Sequence, residues 1–306
     1  MCTVLPYIRL LRPADWIKNI FVFAALAFGN KIRDPNAIVL SILAFATFCF
    51  VSSAGYIFND MLDRQRDRLH PAKKNRPLAS GTVSLGAASS MMVLLILLSA
   101  VICYKFLSPQ FAIATGTYLF LTVTYSLALK HRMILDVIII AILFVLRALS
   151  GAVAIDVPVS PWLLVCTFML CLFIGFGKRR CEIASLADAD AMLQHRPTLV
   201  RYTPDLLNHL LSTSGGVAIV TFLLYTLDTS WPSPFGEQRH NLIYTLPLVV
   251  YGIYRYAMLI ESGKAVGPTE LIIKDTPFLM TVVLWTASAI AILYTGSGLG
   301  YLVPPG

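Results

Sequence analysis

An all-α, polytopic membrane protein is the fold class this sequence predicts. Three observations carry that reading: an apolar composition, apolar runs of about membrane-spanning length, and basic residues gathered on one side of those runs. Hydrophobic residues make up 57% of the 306 and charged residues only 13%, where a soluble domain carries about 25% charged. The mean hydropathy is +0.74. Nine apolar runs follow one another, at approximately 17–33, 37–58, 84–106, 110–129, 133–155, 160–177, 206–228, 241–260 and 278–297. Each is near the ~20 residues with which a helix crosses a hydrocarbon core. A transmembrane β-barrel would show short alternating segments instead.

Taken in order, Met1 to Lys18 holds Arg9, Arg12, Asp15 and Lys18, with no small-residue cleavage site behind it. That predicts a first span with no cleavable signal before it. The second run ends in charged residues and opens a long connection, 63–83. Short segments join the third to sixth runs, and residues 130–132 supply Lys130 and Arg132. A second long charged connection, 178–205, follows the sixth run, four spans after the first. Long loops inside a compact domain are usually functional. Between the seventh and eighth runs, Trp231-Pro232-Ser233-Pro234 reads as an interfacial turn. One domain spanning 1–306 is expected.

Charge orients the chain. With residues 1–18, 63–83, 130–132, 178–205 and 261–277 on the cytoplasmic side, most of the 24 Lys and Arg lie there. The positive-inside rule then puts the N-terminus inside a cell membrane and the C-terminus outside. The net charge of +8 is explained by this asymmetry, and no nucleic-acid partner is expected. The six Cys form no Cys-x-x-Cys pair, which argues against a disulfide framework or a zinc site. His70, His131, His195, His209 and His240 lack metal-ligand spacing.

Chemistry concentrates in Asn59-Asp60-Met61-Leu62-Asp63-Arg64-Gln65-Arg66-Asp67-Arg68. At about 100° per helical residue, Asn59, Asp60, Asp63 and Asp67 fall within roughly one 100° arc. Carboxylates that close repel each other unless a cation lies between them. Oxygen-only ligands suit Mg²⁺, which usually holds substrate phosphates as well. A solvated acidic helix end is the plain alternative. The basic residues Lys73, Lys74 and Arg76 that follow favour a phosphate site.

The motif continues to Arg76-Pro77-Leu78-Ala79-Ser80-Gly81. An Asn-Asp-x-x-Asp-x-x-x-Asp-Arg stretch followed by Arg-Pro-Leu-x-Ser-Gly resembles the UbiA superfamily of intramembrane prenyltransferases. The resemblance implies nine helices around a central cavity, with a Mg²⁺-diphosphate site at its cytoplasmic mouth. Further residues extend it along nearly the whole chain: Arg12-Pro13-x-x-Trp16-x-Lys18-Asn19, Tyr125-Ser126-x-x-Leu129-Lys130, Asp136, and Phe144-Val145-Leu146-Arg147-Ala148-x-x-Gly151. Gly177-Lys178-Arg179-x-x-Glu182, Arg196-x-x-Leu199-x-x-Tyr202, Gly267-Pro268-x-Glu270 and Asp275 complete it. Together they resemble the decaprenyl-phosphate phosphoribosyltransferase branch. That likeness implies phosphoribosyl diphosphate and a polyprenyl phosphate as substrates, Mg²⁺ as cofactor and membrane lipids as surroundings, and is compatible with a homo-oligomer.

One departure from the wider superfamily separates two reactions. Aromatic prenyltransferases usually carry a second Asp-x-x-x-Asp motif after the sixth span. Here Lys178, Arg179, Arg180 and Glu182 stand there, and Asp188 and Asp190 are too close in sequence to share a helix face. Positive charge suits a metal-free phosphate, such as the 5-phosphate of phosphoribosyl diphosphate. The alternative within the superfamily is prenyl transfer to an aromatic or other small acceptor. A carrier is disfavoured, because the ionisable residues crowd one membrane face rather than the midplane.

The resulting assignments are these. Asp60, Asp63 and Asp67 are the catalytic, metal-ligating centre, with Asn59 and Arg68 on diphosphate oxygens and Lys74 and Arg76 closing over them. Lys73 and Lys74 serve equally as a lipid-headgroup patch. Lys18, a membrane-edge anchor by position, becomes a phosphate contact by resemblance. Tyr125, Lys130 and Asp136 gather near the inner ends of the fourth and fifth spans. Lys130 binds phosphate, and Asp136 is a base, a metal ligand or a partner for Lys130. Lys178, Arg179 and Glu182 form the second substrate-binding group. Arg147 lies roughly 20 Å inside its span at 1.5 Å per residue, which favours a structural pairing. The topology is directly testable: in intact cells, cysteines at positions 237 and 306 should react with an impermeant maleimide. Lys73→Cys and Arg196→Cys should react only after the membrane is opened.

Overall fold

The computed structural model describes residues 4–69, 73–185, 199–231, 233–262 and 275–295. All the regular structure among them is helical. The chain divides into two compact units, residues 1–159 with 188–202, and residues 160–187 with 203–306.

In the first unit α1 (Leu5–Leu11) leads into a 3-10 helix (Pro13–Phe23) and α2 (Ala24–Phe28). Then come α3 (Pro35–Leu62), α4 (Arg64–Leu69), α5 (Leu85–Phe106), α6 (Pro109–Leu127) and α7 (Leu135–Ala154). The helix starts are written locally. Asp34 accepts hydrogen bonds from the backbone of Asn36 and Ala37 ahead of Pro35, Ser84 from Ala87 and Ser108 from Phe111, each relieving an orphan N–H of a first turn. The Ala37 N–H holds the Asp34 carboxyl below the usual range, with Lys31 assisting against the effect of burial.

α3 is the axis of this unit and packs on the 3-10 helix, α5, α6 and α7. Its buried face carries Ser41, Ala44, Thr47, Ser52, Ser53, Ala54 and Gly55. Small residues let helices approach closely where lipid offers no hydrophobic drive for association. Larger side chains fill the remainder: Phe48 meets Phe111 and Tyr118 edge to face. Near the end of α3 and the loop after α4, Leu10, Ala54, Ile57, Leu78 and Val83 form a separate buried cluster.

Among the described residues, seven helices are long and apolar enough to cross a membrane. The expected spans 17–33 and 110–129 are not among them. Residues 109–127 do form the 19-residue α6, diluted by hydroxyl and aromatic-alcohol side chains. Residues 13–28 form the eleven-residue 3-10 helix and the five-residue α2. At about 2.0 Å and 1.5 Å per residue these reach roughly 30 Å, a full hydrocarbon thickness from fewer residues than an α-helix needs.

Arg147 ties this short segment to the bundle. Its Nε donates to Asn19 Oδ1 at 2.9 Å, Nη2 to the Tyr118 hydroxyl at 2.5 Å and Nη1 to the Leu143 carbonyl at 3.1 Å. The guanidinium also lies over the Tyr118 and Phe144 rings. A buried Arg inside a membrane needs partners of this kind. One turn later Gly151 meets the same segment backbone to side: a Cβ there would stand 2.0 Å from the Val22 carbonyl oxygen.

In the second unit α8 (Pro161–Ser185) and α9 (Pro204–Leu227) form the main pair. A 3-10 helix (Gly236–Thr245), α10 (Leu246–Glu261) and α11 (Thr276–Thr295) complete it. Phe173, Leu211, Ile253 and Tyr256 make its core. Gly177 and Gly215 admit the Tyr256 and Phe173 rings. Asp275 caps α11 by accepting from the Phe278 N–H at 2.9 Å and binds Arg255 through both carboxylate oxygens. Arg255 holds the Asp275 carboxyl below its usual range.

Gly151→Ala should cost about 1–3 kcal/mol or more, because the methyl group displaces backbone rather than a flexible side chain. Gly86→Ala and Gly116→Ala meet open space and should not destabilise. Thermal unfolding of the three variants in detergent reads the difference.

Candidate active site

The acidic motif is divided by the end of α3. Asn59 and Asp60 lie in its last turn, and Asp63 caps it with φ −88° and ψ 2°. Asp67 stands on the separate helix α4. Helical hydrogen bonds bridge the break, from Asp63 N–H to the Asn59 carbonyl and from Asp67 N–H to the Asp63 carbonyl. The four residues thus remain close neighbours across the break, and Asp60 and Asp67 face a common point.

What turns α4 is the loop beyond it. Arg64 Nε donates to the Leu78 carbonyl at 3.1 Å and Arg68 Nε to the Ala79 carbonyl at 3.0 Å. The loop is folded by its own sequence. The Pro77 carbonyl accepts from the Val83 N–H and from the Ser80 and Thr82 hydroxyls. Leu78 is buried among Leu10 and Ile57, and Gly81 takes φ +80°, a conformation that costs glycine nothing. Arg76-Pro77-Leu78-Ala79-Ser80-Gly81 is thus a compact turn with an apolar plug, and it aims Arg76 back at the acidic residues.

Each acidic side chain holds a cation. Arg76 Nη1 lies between Asp60 Oδ1 at 3.0 Å and Asp67 Oδ2 at 2.8 Å. Arg12 Nη2 reaches Asp60 Oδ1 at 2.5 Å. Lys130 Nζ is 2.8 Å from both oxygens of Asp63 and 3.2 Å from Asn59 Oδ1. Asp60 and Asp67 are buried, and their burial is tolerable because the charges are paired.

The sequence reading did not include Arg12 in the site. Its backbone is left-handed, φ 53° and ψ 60°, an uncommon and costly conformation for a residue with a Cβ. Neighbours enforce it: Ser53 Oγ donates to the Leu11 carbonyl at 2.8 Å and accepts from Trp16 Nε1 at 3.0 Å. The Arg12 guanidinium lies 5.1 Å from the centre of the Tyr56 ring, within cation–π range. The sequence signal was present in Arg12-Pro13-x-x-Trp16, but only the tertiary contact gives Arg12 a role.

A second strained residue lies four positions after Lys130. Ile134 has φ 68°, an outlier for a β-branched side chain. Its N–H donates to the Tyr202 hydroxyl at 2.7 Å, and that hydroxyl donates to Asp136 Oδ1 at 2.9 Å. Asp136 is fully buried and accepts from Tyr202.

The other sequence-predicted residues distribute as follows. Arg68 is exposed, with its Nε on the Ala79 carbonyl rather than on the acidic cluster. Lys74 is exposed and Tyr125 packs against the core of the first unit. Lys18 Nζ pairs with Asp15 at 2.6 Å and lies 5.9 Å from the Tyr56 ring centre. Lys178, Arg179 and Glu182 belong to the second unit, at the end of α8. There Arg179 is buried and bonded to Glu182, while Lys178 is the exposed member, 4.0 Å from the same carboxylate. His70, His195, Asp188, Asp190, Arg196 and Gly267 to Glu270 lie outside the described residues.

No three metal-ligating His, Cys, Asp or Glu side chains converge among the described residues. Two carboxylates do share a point. The Arg76 nitrogen marks a position within about 3 Å of both Asp60 and Asp67, and the donors there are all oxygen. Mg²⁺ is commonly held by one or two carboxylates with substrate phosphates and water completing the shell. The donor set fits a hard dication at Asp60 and Asp67, with Asp63 turned toward Lys130.

Known proteins bear on this geometry. Residues 19–281 match the profile described as the UbiA prenyltransferase family. A decaprenyl-phosphate phosphoribosyltransferase of Corynebacterium glutamicum is 32% identical over 292 residues, covering 94% of this chain and 86% of the relative. Its namesake in Mycolicibacterium smegmatis is also 32% identical, over 94% and 92% of the two chains. In fold, a UbiA homologue from Archaeoglobus fulgidus, solved bound to GPP and Mg²⁺, superposes with a TM-score of 0.69 at 21% identity, covering 94% of this chain and 99% of that one.

Tyr202→Phe removes the acceptor of the Ile134 N–H and a donor to buried Asp136. It should lower stability by about 1–3 kcal/mol, the cost of leaving buried polar groups unmatched. The melting temperature of the purified variant reads it.

Proposed function

Because the chain belongs to the UbiA prenyltransferase family, we propose that it transfers 5-phosphoribose from phosphoribosyl diphosphate to a polyprenyl phosphate at the cytoplasmic face of the membrane. The observation that carries this reading is the 32% identity, along nearly the full length, to enzymes named for that reaction. The acidic cluster at the end of α3 supports it.

In this reading Asp60 and Asp67 would hold Mg²⁺, whose charge would offset that of the leaving diphosphate. Asp63 and Asn59 position Lys130, which donates to diphosphate oxygens. Arg12 and Arg76 face the same group. Lys178 meets the ribose 5-phosphate as a point charge, and buried Arg179 with Glu182 stiffens the turn of α8 that carries it. The lipid phosphate oxygen bonds to ribose C1 as the bond from C1 to diphosphate breaks. A phosphate anion is already a nucleophile, so no strong general base is required. Fixing both substrates at the membrane edge supplies proximity and orientation.

The test is mass analysis of the lipid formed by purified protein from phosphoribosyl diphosphate and a polyprenyl phosphate. The expected product is a polyprenyl-phosphoryl 5-phosphoribose, lost in EDTA. Lys178→Ala should weaken phosphoribosyl diphosphate binding by about 1.5–3 kcal/mol, as for a charge-assisted hydrogen bond, or roughly tenfold to more than a hundredfold. Saturable binding of geranyl and longer prenyl diphosphates, with none of phosphoribosyl diphosphate, would overturn the reading in favour of prenyl transfer.

A further inference from the structure

The two cations on the buried carboxylates are not equally placed with their partners. Asp60 and Asp67 side chains are 3% and 4% exposed, whereas those of Arg12 and Arg76 are 23% and 29% exposed. The carboxylates are fixed by helix backbone and packing, while each guanidinium reaches in from a turn. Arg12 reaches from the left-handed corner between α1 and the 3-10 helix, and Arg76 from the folded loop after α4. While bonded to Asp60, the Arg12 guanidinium also lies over the Tyr56 ring, a contact that does not depend on the carboxylate.

Arg76 Nη1 also occupies the one point shared by Asp60 Oδ1 and Asp67 Oδ2. A dication bound to those oxygens and Arg76 cannot hold the same position. Resting on the metal–diphosphate reading above, we propose that Arg12 and Arg76 compete with the divalent cation for Asp60 and Asp67, and move onto the diphosphate oxygens when metal and diphosphate bind together.

The charge bookkeeping requires the two ligands to act jointly. Metal alone must displace guanidinium from buried carboxylates and leave two arginines without an anion. Diphosphate alone brings negative charge toward Asp60, Asp63 and Asp67. Both together supply the carboxylates with a cation and the arginines with an anion for bidentate contact. Binding of each therefore strengthens binding of the other by the same factor, as linkage requires. The arginines would bind the donor through its diphosphate whatever its organic part, leaving selection of the pentosyl group to other residues.

The experiment uses the full-length solubilised chain with Mn²⁺ as the probe, read as protein-bound manganese by equilibrium dialysis at matched free Mn²⁺, with and without inorganic diphosphate, which itself complexes the ion. Wild type should bind Mn²⁺ weakly alone and about tenfold or more tighter with saturating diphosphate, within the usual range of coupling between ligands. Arg76→Gln removes the competitor, so Mn²⁺ alone should bind more tightly than in wild type, by about tenfold, while the gain from diphosphate shrinks. Arg12→Gln leaves Asp67 and Arg76 paired and should move both quantities in the same directions by less. It also provides a second variant should Arg76→Gln fold poorly. Wild type that binds Mn²⁺ with diphosphate, with neither variant binding Mn²⁺ alone more tightly, would overturn the exchange and leave the site assignment standing. Wild type that binds no Mn²⁺ even with diphosphate would overturn both.

Discussion

Two carboxylates buried at the end of a membrane helix are tolerable only with cations upon them, and that requirement organises the inner end of the first unit. Asp60 and Asp67 draw Arg76 between them and Arg12 onto Asp60. Each arginine then needs a scaffold. For Arg76 it is the loop closed around the Pro77 carbonyl and plugged by Leu78. For Arg12 it is the left-handed corner pinned by Ser53 and Trp16. Asp63 holds Lys130 through both carboxylate oxygens. Backbone strain at Arg12 and Ile134 lies beside these charges, as it often does where a site rather than stability dictates conformation.

Inside the bundle the same logic runs with neutral partners. Arg147 is satisfied by an amide, a phenol and a carbonyl, so it joins α6, α7 and the short 3-10 segment without a buried carboxylate. Gly151 and the small residues of α3 bring the backbones near enough for those bonds to form. Those bonds hold the short segment of residues 13–28 against the bundle through Asn19. Arg12 immediately precedes the segment and Lys18 lies within it, both over Tyr56, so the Arg147 contacts and the acidic cluster are joined through one short stretch of chain.

The all-α membrane class, the positions of most spans and the identity of the acidic and Arg-Pro-Leu motifs were legible in sequence. They depend on composition, on runs of about twenty apolar residues and on local turn chemistry, all of which are one-dimensional. The pairing of each carboxylate was not. Helical periodicity brings Asp60, Asp63 and Asp67 near one another, but which cation each one holds depends on Arg12, Arg76 and Lys130 from other segments. Arg68, read as a diphosphate ligand, has its Nε on the Ala79 carbonyl, a partner that depends on what the loop brings alongside it.

The sequence by itself determined that this chain lives in a membrane with its charged chemistry crowded at one face, and that it carries oxygen ligands and cations suited to phosphate. Those properties follow from solvation: apolar runs enter lipid, charges stay at its edge, and hard ions prefer oxygen. Only the tertiary structure decided that Arg12 pairs with Asp60 and Tyr202 with Asp136, that Asp60 and Asp67 share one cation, and that Asp63 holds Lys130. Those are pairings between residues 9 to 71 positions apart. No local propensity specifies such a pairing, because it depends on which helices the small residues of α3 allow to meet.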